Sequence, residues 1–172
     1  MKELKENDLI LAKVKQGAII PTREAGNAGY DIYACFEDDY IAIKPHETKL
    51  IPTGIATALH PSKYIQVEER GSTGSKGIKK SAGVIDSSYR GEIFIAITNT
   101  NSKWLFITKL SEEEMKKKTL YNEGDILYPY SKAIAQLVIH EVPEMNITEI
   151  SYDELKNIPS DRGDGKLGSS GK

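Results

Sequence analysis

An all-β fold of short antiparallel strands, a sandwich or a barrel, is what this 172-residue sequence predicts. Short β-rich runs follow one another from the N-terminal region to Val142, separated by Gly, Pro, Asn or Asp. Tyr40-Ile41-Ala42-Ile43-Lys44 and Tyr64-Ile65-Gln66-Val67-Glu68 alternate with period two, so each has one buried and one wet face. Helical patterning is confined to two short stretches, neither with a broad apolar face.

The runs, in chain order, are Asp8–Val14, Tyr30–Phe36, Tyr40–Lys44, Lys49–Leu59, Tyr64–Glu69, Gly91–Asn99, Lys103–Leu110 and Ala133–Val142. The first helical stretch, Ser111–Thr119, has a Ser N-cap, acids in its first turn and lysines in its last. It reads as an exposed excursion between a strand ending near Leu110 and one starting near Ala133. The second is a weak turn at Ser151–Asn157. Residues 159–172 carry Gly163, Gly165, Gly168 and Gly171 with almost no apolar mass, the composition of a flexible tail. The organisation expected is one domain over residues 1–158, with an insertion at about 101–131, and an arm over 159–172.

Composition narrows the function classes. Lys and Arg total 23 against 25 Asp and Glu, a net charge of −2, so no basic excess points to a nucleic acid or a membrane surface. Cys35 is the single cysteine, which excludes an internal disulfide, argues against a zinc site and suits a reducing, cytoplasmic compartment. Neither a signal peptide nor an apolar run of about 18 residues is present in the sequence.

Five segments carry chemistry. Ala28-Gly29-Tyr30-Asp31-Ile32-Tyr33-Ala34 places an acid among strand residues, where either a structural hydrogen bond or a water of a bound metal would satisfy it. Arg70-Gly71-Ser72-Thr73-Gly74-Ser75-Lys76-Gly77 gathers cations, hydroxyls and glycines in the manner of a phosphate cradle, without the Walker spacing. From Ser81 to Ile93, an apolar strand ends in Asp86 and a Ser-Ser turn leads to Tyr89, either a plain hairpin or a rigid mount for a base catalyst and a flat ring. Gln136 interrupts the apolar strand at Ala133–Ile139 and needs partners in the core or on a ligand. The fifth segment is the Gly/Ser tail.

In order and spelling, AGYDIYA, RGSTGSKGI, GVIDSSYRGEI, AIAQLV and RGDGKLGSSGK resemble the five motifs of the trimeric dUTP pyrophosphatase (dUTPase) family. The resemblance runs from about Leu9 to Lys172 and leaves out 101–131. It implies a distorted jelly-roll or β-barrel, the dUTPase-like β-clip, in a homotrimer whose sites are shared between chains. The reaction implied is hydrolysis of dUTP to dUMP and pyrophosphate with Mg²⁺, which limits uracil in DNA and supplies dUMP for dTMP synthesis.

By the same resemblance, Asp86 is the general base acting on water at the α-phosphorus, and Tyr89 packs on the deoxyribose. Asp31 holds a water of the Mg²⁺. Arg70, Gly71, Ser72 or Thr73, and Gln136 face phosphate oxygens. Backbone groups over Ser81–Ile85, including Gly83, Val84 and Ile85, read uracil. Arg162, Leu167, Gly168, Ser169 and Ser170 close over the nucleotide from a neighbouring chain. Departures from the family pattern are Leu167 for a stacking phenylalanine, Lys166 for glycine, Gly71 for serine, Lys80 and Ser81 near an expected asparagine, and Ala133 for arginine. Two alternatives are a dCTP deaminase, disfavoured because Ala96 stands where a catalytic Glu is needed, and a nucleotide-sensing trimer that binds a protein partner through the insertion.

Overall fold

The structure is a computed structural model in which residues 3–118 and 121–165 are described. In chain order the elements are β1 (Leu9–Lys13), β2 (Gly29–Ile32), β3 (Tyr40–Ile43), β4 (Thr48–Pro52), β5 (Ile55–Leu59), β6 (Lys63–Glu68), α1 (Gly71–Gly74), β7 (Ile78–Lys80), β8 (Val84–Asp86), β9 (Phe94–Asn99), β10 (Leu105–Thr108), α2 (Glu112–Lys117), β11 (Ile126–Pro129), β12 (Ala135–Glu141) and α3 (Tyr152–Lys156). The strands form four small sheets, ordered β1-β5, β11-β10-β3, β2-β12-β6-β8 and β4-β9-β7. Each predicted run contains a strand, and Lys49–Leu59 contains two, because Gly54 adopts φ +67 and breaks the run between β4 and β5.

The sheets share one core rich in isoleucine. Ile32, Ile43, Ile51, Ile55, Ile65, Ile95 and Ile97 are all buried within a single cluster that draws on every sheet. β-Branched chains suit this role, since they lose little rotamer freedom on a pleated surface and pack densely across it. The chain divides into two compact units, the first ending at Val142 and the second beginning at Pro143, so the boundary expected at 158 falls inside the second. The second unit holds α3, whose Ser151 forms a capping box with Glu154; none of the helix's residues is buried. So short a segment has too little apolar surface to build its own core.

Within the insertion, the helical stretch expected to be an exposed excursion is exposed apart from Met115, while the strands on either side of it, β10 and β11, place Leu105, Phe106, Ile107 and Tyr128 in the interior. The two strands pair in parallel, with Leu105 opposite Ile126, against the all-antiparallel expectation. Parallel neighbours need a crossover long enough to return the chain to its starting end, and residues 109–125 with α2 supply it. Ser111 caps α2 by accepting from Glu114 N at 3.3 Å, while Ser111 N donates to Glu114 Oε2 at 2.8 Å. Met115 anchors the helix and is fully buried. β11 escaped the sequence reading because its run is short and ends in Pro129.

Asn99 ties the insertion to the barrel. Its buried Nδ2 donates to the carbonyls of Ile43, Lys44 and Lys103 at 3.1, 3.2 and 2.7 Å, and its Oδ1 accepts from Asn101 N at 3.1 Å. Met115→Ala should cost about 3 kcal/mol and lower the thermal midpoint by roughly 10 °C. Differential scanning calorimetry checks this, and an unchanged midpoint would mean that α2 contributes no packing.

Candidate active site

The sheet β2-β12-β6-β8 carries the site. In β6, Ile65 and Val67 point to the core while Tyr64, Gln66 and Glu68 point outward. Residues directly opposite in an antiparallel pair share a face, so the register extends this outer face across the sheet. Glu68 lies opposite Gln136, which lies opposite Asp31; Gln66 lies opposite Val84, and Tyr64 opposite Asp86. Asp31, Gln136 and Asp86 therefore share the outer face of one sheet.

At the β2 end, Asp31 is held by three hydrogen bonds. Arg70 Nε donates to Oδ1 and Arg70 NH2 to Oδ2, both at 3.1 Å, and Gln136 Nε2 donates to Oδ1 at 3.1 Å. Asp31 thus satisfies the structural reading of its buried charge and still faces a polar cavity of about 200 Å³, lined also by Thr22, Arg23, Asn27 and Gly29. Burial works against the Arg70 charge, but the adjacent Asp31 carboxylate and the Tyr128 hydroxyl outweigh it and hold the guanidinium above its ordinary pKa. Gly29 is required here, because a Cβ at that position would lie 2.8 Å from Gln136 Cβ.

Arg70 is the N-cap of α1, the single helical turn into which the predicted cradle folds. Within it the two hydroxyls separate. Thr73 is buried and donates from Oγ1 to the Arg70 carbonyl at 2.9 Å, so its hydroxyl is engaged within the protein. Ser72 is exposed, with its Oγ 3.5 Å from Arg70 NH1. Gly71 is exposed beside it.

At the other end, Asp86 closes β8. Its carbonyl accepts from Tyr89 N at 3.1 Å, and its exposed carboxylate has no hydrogen-bond or ion-pair partner among the described residues. Arg90 NH1 braces the turn by donating to the carbonyls of Ser87 at 2.5 Å and Tyr89 at 3.0 Å. Tyr89 is 46 % exposed and donates to the Glu92 carbonyl at 2.9 Å, its phenol lying over Gly91 where no Cβ would fit. Glu92 roots the hairpin through Gly54 N at 2.8 Å and Lys15 Nζ at 3.0 Å. Asp86 and Tyr89 line a cavity of about 250 Å³ with Val84, Ile85 and Phe94.

β8 is an edge strand, which narrows the expectation for base reading. Val67 N donates to the Gly83 carbonyl at 2.8 Å, so the antiparallel alternation also turns the backbone groups of Ile85 toward β6. Of Gly83, Val84 and Ile85, only Val84 presents both its N–H and its C=O at the free edge.

One chain does not bring all the predicted residues together. From Asp86 to Asp31 the sheet runs four residues along the strands and three strand spacings across, about 20 Å. Arg162 lies in the second unit, in a turn where its N–H donates to Ser160 Oγ at 3.3 Å. Lys166, Leu167, Gly168, Ser169 and Ser170 lie outside the described residues. The sequence reading missed Tyr128, whose hydroxyl stands beside Arg70; only the short apolar run at 126–128 signalled a strand there. Among the described residues no group of three or more His, Cys, Asp or Glu could hold a metal ion, and no helix is long and apolar enough to cross a membrane.

Comparison with known proteins bears on the family and the fold. The dUTPase family model matches residues 15–111. Deoxyuridine 5'-triphosphate nucleotidohydrolase of Candida albicans is 35% identical over 155 residues, covering 89% of this chain and 81% of that protein. The dUTPase of Staphylococcus bacteriophage 80alpha, solved with dUPNHPP, superposes with a TM-score of 0.73 at 21% identity, covering 96% of this chain and 99% of that one. A variant dUTPase from phage phi11 of S. aureus, described with a structural Mg(II) ion, superposes with a TM-score of 0.67 at 21% identity, covering 86% and 99%. These structures share the fold, and the family model and the sequence identity show that the chain belongs to the dUTPase family.

Proposed function

We propose that the protein hydrolyses dUTP to dUMP and pyrophosphate, with each active site completed by other copies of the chain. The observation that carries this reading is the Asp86 carboxylate, exposed and without a protein partner at the end of β8 beside Tyr89, in a chain of the dUTPase family. An acid with no internal partner is available to accept a proton from water, whose oxygen then bonds to the α-phosphorus as the bond to the bridging oxygen breaks. Tyr89 offers its ring to the deoxyribose. The free edge of β8 at Val84 offers a donor and an acceptor to uracil, and cytosine, with its different pattern, would leave groups unpaired.

The phosphates are assigned to Arg70, Ser72, Gln136 and, from another copy of the chain, Arg162. The separation of about 20 Å between the Asp86 and Asp31 clusters exceeds the reach of one reacting centre, and this supports a homotrimer with shared sites. The second unit supports it too: Met145 is 75 % and Ile147 95 % exposed, apolar surface suited to lying against another copy. The residues that follow Arg162 would cover the nucleotide.

The chain's residues fit Mg²⁺ as an ion carried by the substrate. A carboxylate accepts about four hydrogen bonds, and Asp31 already accepts from Arg70 twice and from Gln136 once. The remaining position suits a water of a hydrated ion rather than a direct ligand, the mode in which Mg²⁺ keeps its waters and rests on substrate phosphates. When bound, the ion would neutralise charge on the departing pyrophosphate.

Pyrophosphate release measured with dUTP, dCTP, dTTP and UTP should be fast for dUTP alone and should fall on chelation of Mg²⁺; equal turnover of dCTP would overturn the reading. Asp86→Asn should retain dUTP binding and lose about a thousandfold in kcat. In Gly29→Ala the new methyl group displaces Gln136 from Asp31, and KM for dUTP should rise about tenfold for the loss of roughly 1.5 kcal/mol. A chain ending at residue 161 should keep its thermal midpoint but lose most of its activity; unaltered kinetics would remove the arm from the site.

A further inference from the structure

The Asp31 carboxylate fixes only one edge of the Arg70 guanidinium. Nε and NH2 are engaged there, both at 3.1 Å, which leaves NH1 on the opposite edge. That nitrogen points to the Ala133 carbonyl at 3.4 Å and Ser72 Oγ at 3.5 Å, both long for hydrogen bonds that must hold a planar group still. The same Ala133 carbonyl accepts from the Tyr128 hydroxyl at 2.6 Å. Tyr128 is 2 % exposed and comes from β11, the strand that follows the insertion's crossover. Ala133, with only a methyl group, has no side chain to share this work.

We infer that Tyr128 is a positioning residue for the phosphate-binding edge of Arg70: its buried hydroxyl donates to the Ala133 carbonyl and so fixes the acceptor toward which NH1 points. Burial pushes the Tyr128 phenol pKa up, so the donor persists at neutral pH, while contact with Arg70 and Ser72 acts in the opposite sense. β11 pairs with β10, Tyr128 opposite Ile107, so this hydroxyl also links the insertion's sheet to the phosphate end of the site. The inference rests on the proposed role of Arg70 and adds a residue that the family motifs do not contain.

Tyr128→Phe keeps the buried ring and removes only the hydroxyl, so the fold is retained and the thermal midpoint reports it. KM for dUTP should rise about tenfold with kcat within about twofold of the parent, and inhibition by the product dUMP should not change, because the sugar and base contacts lie at the Asp86 end. Arg70→Lys should raise KM by at least as much, and adding Tyr128→Phe to it should raise KM no further. A rise in KM for Arg70→Lys with none for Tyr128→Phe would overturn the inference and leave the proposed function standing. So would a lowered kcat and midpoint at constant KM, the pattern of a purely structural tyrosine. Wild-type KM in Arg70→Lys would instead remove Arg70 from the phosphate site, and the inference with it.

Discussion

A strand presents successive side chains to opposite faces, and in the sheet β2-β12-β6-β8 that two-residue period governs both the stability of the barrel and its chemistry. Ile32, Ile65, Val67, Ala135 and Leu137 fill the inner face and are all buried. Asp31, Glu68, Gln136, Gln66, Val84 and Asp86 fill the outer one. A register slip of one residue would drive carboxylates into the core and expose the isoleucines, so burial of the inner face is what holds the outer face in place. The catalytic candidates are accordingly held on regular strands without being buried.

The polar network at Asp31 shows how such a face becomes a site. A half-buried carboxylate must be paired, and Arg70 and Gln136 pair it from a helical turn and a neighbouring strand. The pairing orients the guanidinium and amide that the proposed reaction needs at the triphosphate. Asp86 is treated in the opposite way: its hairpin is braced by Arg90 and Glu92, while the acid itself is left without a partner among the described residues. Neutralised positioning at one end and an available base at the other is the division of labour expected when positioning and charge compensation dominate phosphoryl transfer.

The insertion belongs to the same architecture. It closes a parallel pair onto β3, buries Met115 beneath a capped helix, and is stitched to the barrel by Asn99. Its last strand reaches the Arg70 network through Tyr128 and the Ala133 carbonyl, so the segment that looked most detachable is joined to the candidate site.

Much of this was legible in the residues. Period-two runs located strands, Ser111 and Ser151 announced their helices, and the spelling around Asp31, Arg70, Asp86 and Gln136 pointed to the family, because these are local signals carried by neighbours in sequence. Other features are relations between distant segments, and no local pattern encodes them. Thr73 and Ser72 look alike as candidates until one hydroxyl turns inward, and nothing local joins Ala133 to Tyr128 until its carbonyl meets that phenol. By itself, then, the sequence determined most of the strand pattern, the family and the candidate chemical groups; tertiary structure alone decided which strand runs parallel, which hydroxyl faces solvent and how far Asp86 stands from Asp31, because pairing and register bring together residues that the chain keeps apart.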